Sequence, residues 1–402
     1  MNLKASSRRN ILIYHDHLHI RGGAERVLSY FLSLFEEVKF PYTVLTLTKI
    51  ETFNSINKLA NKKPEKFVSL EETDILYAKI FYLLRTLIHI KATRKPRLLL
   101  ITKGVPAIHF TSLVGYIFKD VDIKIVCLPD IYGLNILTGY SSLLNKKHKF
   151  SLLPAKILNR VLVKSNSFCD AYFLANSPEM RNDIVKLFPN LKDRVKVLYP
   201  VFDDTFFYPR SDLRENDVIL VGRIHPSKNT HRALDILAEV KKSKRNIRLY
   251  IVGDIGDRQY YEYVKGRILN LDLQNNVSMV TDGRPEVIRK YMWRSKICWN
   301  LSEGYFGISN VECLACGVIP IVLPNQRSSV GPFGYVAYDM NDFVQLTLNL
   351  LNAPSDPLNM NRAYNWAKTN FSPSAFYSNL THILKQLGIR EEKIDFLEGR
   401  RR

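Results

Sequence analysis

Residues 217–229 read DVILVGRIHPSKN. An unbroken run of branched aliphatic residues meets a glycine, and a loop carrying Arg223, Lys228 and Asn229 then opens a helical stretch. Such a run marks a strand buried on both faces, as in a parallel sheet. The same order opens the chain, where ILIYH at 11–15 leads into Gly22-Gly23 and a helical pattern. A strand–glycine–helix unit that starts afresh past the midpoint implies two sheets built one after the other.

The sequence on either side fits. Short runs rich in Val, Ile, Leu and Tyr recur at 42–47, 98–102, 123–128, 171–175 and 195–199, then at 248–252, 277–281, 296–301 and 319–323. Longer amphipathic stretches separate them, the alternation of an α/β fold with parallel sheets. The link PVFDDTFFYPRSDLREN at 200–216 is polar and has no helical period. The expectation is a Rossmann-like domain over 1–200, a linker over 201–216 and a second Rossmann-like domain over 217–358. Two helices over 359–388, broken at Ser372-Pro373 with Ser372 able to cap the second, are expected to pack across the junction. Residues 389–402 read as a charged tail.

Composition narrows the function. The 402 residues are 46% hydrophobic, too apolar for a disordered chain. Charges interrupt every apolar stretch before it reaches the ~20 residues of a membrane span. The opening MNLKASSRRN has no small-residue cleavage site, so a cytoplasmic protein is expected. Five scattered cysteines argue against a disulfide framework, and Cys313-x-x-Cys316 lacks the second pair a zinc site needs, so it reads as helix-face packing. The formal net charge is +20, and residues 1–200 hold 31 Lys+Arg against 16 Asp+Glu. A basic half calls for a polyanion: an anionic membrane surface, a phosphorylated substrate or nucleic acid. A basic nucleic-acid-binding protein is the alternative that charge alone supports. No zinc finger, helix-turn-helix spacing or RNP-type aromatic run accompanies it, and no nucleic acid partner is expected. The block ILYAKIFYLLRTLIHI at 75–90, followed by KATRKPR, reads either as an interfacial helix peripheral to the cytoplasmic membrane face or as a buried helix with a basic loop.

Three loops carry chemistry. After the first strand, His15, His17 and His19 precede Gly22 and Gly23, and paired glycines before a helix let backbone N–H groups approach a phosphate. Spacing sets no carboxylate beside the histidines, and no metal is expected. After 217–222, Gly222 turns the chain so that Arg223 and Lys228 can converge on a diphosphate, one as a fork and the other as a point charge. After 296–301 comes SEGYFGISNVECLACG, in which Gly304 and Gly307 expose amides at a helix start. Glu303 and Glu312 flank that turn and can accept hydrogen bonds from sugar or ribose hydroxyls. Ser309-x-x-Glu312 also fits a capping box, which would give Glu312 a structural task. Asp120-Val121-Asp122 precedes a strand instead of following one and is not read as a metal-binding D-x-D.

Taken in order, GGAER, GRIHPSKN and EGYFGISNVECLACGVIPIV, with Asn176-Ser177, VLYPVFDDTFFYP and NWAKTNFSPSAF, resemble the retaining family 4 glycosyltransferases of GT-B fold. FGISNVE and CLPD look most like the branch of lipid-linked mannosyltransferases of N-glycan assembly. The resemblance covers nearly the whole chain and implies that the two Rossmann-like domains face each other across a cleft. It implies a UDP- or GDP-linked hexose donor, mannose in that branch, held mainly by the second domain. It also implies a lipid-linked or glycan acceptor held by the first, with neither cofactor nor catalytic metal. Arg223 and Lys228 match the diphosphate-binding pair and form the catalytic set with Glu303, the sugar-side glutamate. Gly22, Gly23, Gly222, Gly304, Phe306, Gly307, Ile308 and Glu312 are implied on the donor, Glu312 as the ribose-binding glutamate, and Asp130 on the acceptor side. Two positions depart from the pattern. Eight residues, where the family has seven, separate Glu303 from Glu312, and Leu128 stands in Cys127-Leu128-Pro129-Asp130 where the branch usually has histidine. These departures keep open a catalytically inactive nucleotide-sugar-binding homologue.

Overall fold

The computed structural model describes residues 10–15, 23–37, 39, 41–46, 67–69, 76–94, 96–103, 114, 117–118, 120–128, 171–210, 215–354 and 356–387. The chain divides into two compact units, Met1–Tyr199 with Tyr377–Arg402, and Pro200–Phe376. In the first, β1 (Asn10–His15), β2 (Tyr42–Thr46), β3 (Phe67–Ser69), β4 (Pro96–Lys103), β5 (Ile123–Leu128), β6 (Tyr172–Ala175) and β7 (Val195–Val197) form one sheet in the order β3-β2-β1-β4-β5-β6-β7. In the second, β8 (Val218–Val221), β9 (Leu249–Val252), β10 (Val277–Val280), β11 (Ile297–Asn300), β12 (Ile319–Val322) and β13 (Tyr335–Val336) take the order β10-β9-β8-β11-β12-β13. Every pairing is parallel. Each sheet grows outward from its first strand on one side and then on the other. The direction of growth therefore reverses between β1 and β4 and again between β8 and β11, where doubly wound sheets open a crevice at the carboxyl ends of their strands.

Among the described residues the helices are α1 (Gly23–Glu37), α2 (Leu76–Arg94), α3 (Pro178–Leu187), α4 (Thr230–Ser243), α5 (Arg258–Asn270), α6 (Pro285–Arg294), α7 (Ile308–Ala315), α8 (Met340–Asn352), α9 (Pro357–Phe371) and α10 (Pro373–Gln386). Packing follows periodicity. Strand β9 buries all four of its residues, while α4 buries Ala233, Leu234, Ile236, Leu237 and Val240 and turns Lys241 and Lys242 outward near its end. These side chains share a core with Val218, Leu220, Trp299 and, from α8, Phe343. Fully burying an indole leaves its N–H in need of a partner, and Trp299 Nε1 donates to Thr347 Oγ1 at 2.9 Å.

Three local readings meet a different structure. Strands β3 and β13 had no sequence signal, since three and two residues at a sheet edge are too few to show a period. The basic run at 91–97 is no loop: α2 continues through Arg94 and β4 starts at Pro96. Proline suits that first strand position, where no ladder N–H is demanded of it. Within α2, Leu87 and Ile90 are buried, Ile88 is 60% exposed, and Lys91 Nζ donates to the Ile117 carbonyl at 2.7 Å and lies 3.1 Å from Asp120. Among the described residues no helix is long and apolar enough to cross a membrane.

The link is also less polar in effect than in composition. Val201, Phe202 and Phe207 are buried, and its backbone is fastened to the second unit. Arg289 Nη1 donates to the Phe206 carbonyl at 2.7 Å while its guanidinium lies 3.8 Å from the Phe206 ring centroid and 4.5 Å from that of Trp293. Trp293 Nε1 donates to the Tyr208 carbonyl at 2.7 Å. Cation–π stacking and two charge- or indole-donated bonds thus hold Phe206–Tyr208, which lie in neither helix nor strand. Finally, α9 and α10 meet at Ser372, whose Oγ accepts from Ala375 N at 3.3 Å.

Candidate active site

The loops that follow β8 and β11 leave the sheet at its reversal point. After β8, Gly222 has φ +144° and Lys228 lies against it: a Cβ there would stand 3.5 Å from Lys228 Cε. Gly253, with φ +152° at the end of β9, lies so close to the Gly222 carbonyl that a Cβ would overlap it. Ile224 N donates to the Asp254 carbonyl at 2.9 Å, and Gly256 and Asp257 return bonds to the Ile224 carbonyl at 3.1 Å. The next loop is drawn in by Asp254 Oδ1, which accepts from Gly283 N at 2.9 Å. Three successive βα loops are therefore laced together along one edge of the sheet.

Lys228 ends a short 3-10 turn, Pro226–Lys228, whose start is capped by His225 Nδ1 accepting from Ser227 N at 3.2 Å. Asn229 follows in the left-handed region with φ 52°, and its Nδ2 donates to the Leu301 carbonyl at 3.0 Å, joining the β8 loop to the end of β11. Burial and the neighbouring Arg223 guanidinium push the Lys228 pKa down. Among the described residues neither cation has a carboxylate partner. Two adjacent positive charges, one of them partly desolvated and both without a counter-ion, form a site suited to an anion.

On the β11 side, Ser302–Gly307 leads into α7. The helix starts earlier than the capping-box reading requires: its N-cap is Gly307, with no side-chain cap, and Ser309 lies inside the first turn. Glu312 is therefore not the capping-box partner of Ser309. It lies a turn into the helix and is 4% exposed. A helix start with a glycine cap presents its first amides, and the positive end of the helix dipole, to whatever lies before it. Gly304 and Glu303 are exposed, Gly307 and Ile308 half-buried. The half-buried Phe306 ring packs 5.4 Å from Phe371, which contacts Trp366 at 5.2 Å. Trp366 in turn fills the space over Gly331, whose φ of +49° suits glycine.

Beneath this loop lies a set of buried amides that no motif announced. Asn300 Nδ2 donates to Asn310 Oδ1 at 2.7 Å, and Asn310 Nδ2 donates to Gln326 Oε1 at 2.8 Å and to Ser329 Oγ at 2.9 Å. Asn310 and Ser329 are fully buried and Gln326 is 1% exposed. Their partners lie 10 to 19 residues apart in sequence, a spacing no local pattern encodes. Asn310 three residues after Gly307 was the one available signal, because a polar residue on the inner face of an apolar helix needs partners.

In the first unit, Gly23 begins α1. His15, at the end of β1, is buried with Nδ1 2.8 Å from Thr102 Oγ1 of β4 and Nε2 3.7 Å from Glu25 Oε1. That histidine is committed to the reversal point of the first sheet. Gly22, Asp130, His17 and His19 lie outside the described residues, as does the Leu128 side chain. Asp120 and Asp122 do precede β5. Cys313 and Cys316 are fully buried, and burial pushes the Cys313 thiol well up. Among the described residues no group of three His, Cys, Asp or Glu side chains could hold a metal ion.

Comparison with known proteins adds four findings. Residues 201–329 match the family model described as glycosyl transferases group 1. The amylovoran biosynthesis glycosyltransferase AmsD of Erwinia amylovora is 26% identical over 246 residues, 61% of this chain. The match spans 62% of that relative, under two thirds of its length. Among solved structures, HepE of Anabaena with UDP and glucose superposes with TM-score 0.68 at 14% identity, over 94% of this chain and all of that one. A glycosyltransferase of Rickettsia africae gives 0.71 at 15% identity, over 96% of this chain and all of that one. At such identities the likeness shows the fold alone: two Rossmann-like domains of the GT-B class.

Proposed function

We propose that this chain is a retaining glycosyltransferase that moves a hexose from a UDP- or GDP-linked donor to a lipid-linked or membrane-proximal glycan. The observation that carries the reading is the pair Arg223 and Lys228, without a carboxylate partner among the described residues, at the sheet's reversal point. The match of residues 201–329 and the name of the Erwinia relative support it. HepE was solved with UDP-glucose, which makes a uridine donor the first to test.

In this mechanism the bond from the anomeric carbon to the diphosphate oxygen breaks as the acceptor oxygen bonds to the same face, and the acceptor proton passes to the departing diphosphate. Arg223, Lys228 and the glycine-capped start of α7 meet the charge that grows on the leaving group, so the proposed step draws on no divalent cation. Glu312 accepts hydrogen bonds from the ribose, while Glu303 and the backbone of Gly304 to Gly307, with Phe306 and Ile308 beside it, face the sugar. Gly222 shapes the floor under Lys228. Gly22, Gly23 and Asp130 keep the roles that the family resemblance implies.

A thermal-shift and turnover panel of UDP, GDP, UDP-glucose and GDP-mannose tests this reading. A bound nucleotide at ~100 Kd should stabilise the protein by ~2.7 kcal/mol, and its sugar should be released or transferred. No shift with any member would overturn the proposal. A shift without turnover on any acceptor would favour the inactive homologue, the reading that Leu128 and the extra residue between the glutamates support.

Membrane proximity rests on α2, where Arg85, Ile88 and Arg94 are all exposed. An apolar residue between cations suits an anionic lipid surface, at ~1 kcal/mol per cation. The double variant Arg85→Gln/Arg94→Gln should sediment severalfold less with phosphatidylserine vesicles at low salt, with unchanged nucleotide affinity. Equal sedimentation of both proteins would remove the membrane surface from the proposal.

A further inference from the structure

The segment Ser302–Gly307, exposed at Glu303 and Gly304, is held by the loop of the neighbouring strand. Strand β11 pairs with β12, and the chain leaving β12 enters a short 3-10 helix, Pro324–Ser329. Asn325 Nδ2 donates to the Glu303 carbonyl at 2.6 Å and to the Gly304 carbonyl at 2.9 Å. Gln326 Nε2 donates to the Ser302 carbonyl. Two consecutive side chains thus take three consecutive carbonyls. Gly307 closes the arrangement, since a Cβ there would stand 2.6 Å from Asn300 Nδ2 and Asn310 Nδ2 and 2.7 Å from Gln326 Oε1.

Peptide geometry gives this shelf a consequence. In a trans peptide the carbonyl of one residue and the N–H of the next point in opposite directions. Drawing the carbonyls of Ser302, Glu303 and Gly304 down onto Asn325 and Gln326 turns the N–H groups of Glu303 and Tyr305 to the other side, while the Gly304 N–H donates to Ser302 Oγ at 3.4 Å. It also fixes the backbone from which the Glu303 carboxylate projects. We infer that Asn325 and Gln326 are positioning residues that set the Glu303–Tyr305 backbone for the hexosyl group, and so govern the rate of transfer more than the binding of the nucleotide. The inference rests on the donor site proposed above.

Gln326 is buried among other amides, and its loss endangers folding. Asn325 is half-buried and is the cleaner handle. Asn325→Asp keeps the shape but sets an acceptor oxygen against two carbonyls, and Asn325→Ala removes the donor alone. Both should lower kcat roughly 10- to 100-fold on UDP-glucose or GDP-mannose, whichever the wild type turns over, with Asp the worse. Affinity for free UDP or GDP by calorimetry should stay within about twofold, and amide exchange over Ser302–Gly307 should quicken in the absence of any ligand. Unchanged exchange overturns the positioning role whatever the enzyme does. Quickened exchange with unchanged kcat, or nucleotide affinity falling in step with kcat, overturns the link to transfer. A wild type that binds neither UDP nor GDP overturns the donor reading instead, and is told apart because the exchange measurement needs no donor.

Discussion

Replacing Lys228 with alanine is expected to lower kcat/KM for nucleotide-sugar turnover by about two to three orders of magnitude, a loss of roughly 3–4 kcal/mol. The size follows from the setting. Lys228 lies on Gly222, its pKa is pushed down by burial and by Arg223, and no carboxylate among the described residues offsets its charge. In the proposed mechanism its ammonium therefore gains most when charge develops on a departing diphosphate. Circular dichroism should show an intact fold, and a variant that turns over donor at the wild-type rate would remove Lys228 from the site. A pH series sharpens the test. Because the folded pKa lies below the ordinary 10.5, the unfolded chain binds more protons between the two values, and this group's contribution to stability rises with pH through that window. Diphosphate binding at the proposed site would require the protonated form, so nucleotide affinity should fall across the same window. The opposite signs belong to one group. Lys228→Arg, charged throughout, should flatten both profiles.

Gly253→Ala should destabilise the second unit by about 3–5 kcal/mol, and the contrast with Gly266→Ala isolates the cause. Gly253 has φ +152°, and an added methyl would meet the Gly222 carbonyl, which belongs to backbone and cannot rotate away. Conformational strain and steric overlap each cost of order 1–3 kcal/mol. Gly266 lies within α5 with nothing within 4 Å of an added Cβ. There the same change should stabilise by about 0.4–1 kcal/mol, through helix propensity and a less flexible unfolded chain. Thermal melts of the two variants should move in opposite directions. Equal shifts would show that Gly253 is not held by the Gly222 backbone.

What the sequence made legible was whatever is written in short range. Buried parallel strands appear as apolar runs, and β1, β8 and β11 could be located from ILIYH, DVILVG and KICWNL without a structure. Arg223 and Lys228 were legible for the same reason, being carried on one short loop. Long-range determinants were not. Asn229, 72 residues from Leu301, joins the two loops of the site, and the amides of Asn300, Asn310 and Gln326 find one another across three segments. Local pattern also misled. Ser309-x-x-Glu312 is a sound capping signal, yet the helix starts at Ile308 because tertiary contacts hold Gly307 on the amide cluster. The link at 200–210 misled through composition, since its aromatic residues mattered more than its charges.

The three tryptophans, Trp293 beside the link, Trp299 in the core and Trp366 over Gly331, all fall within Pro200–Phe376. Indole emission therefore reports on that unit alone, whereas backbone dichroism reports on both. If the units melt separately, the two signals will give different midpoints, and a nucleotide that binds the second unit will delay the fluorescence transition more than the dichroic one. Because Trp293 packs beneath Arg289, loosening of the link should quench or shift emission before the core is exposed. The chain thus carries a built-in optical label for one half of itself.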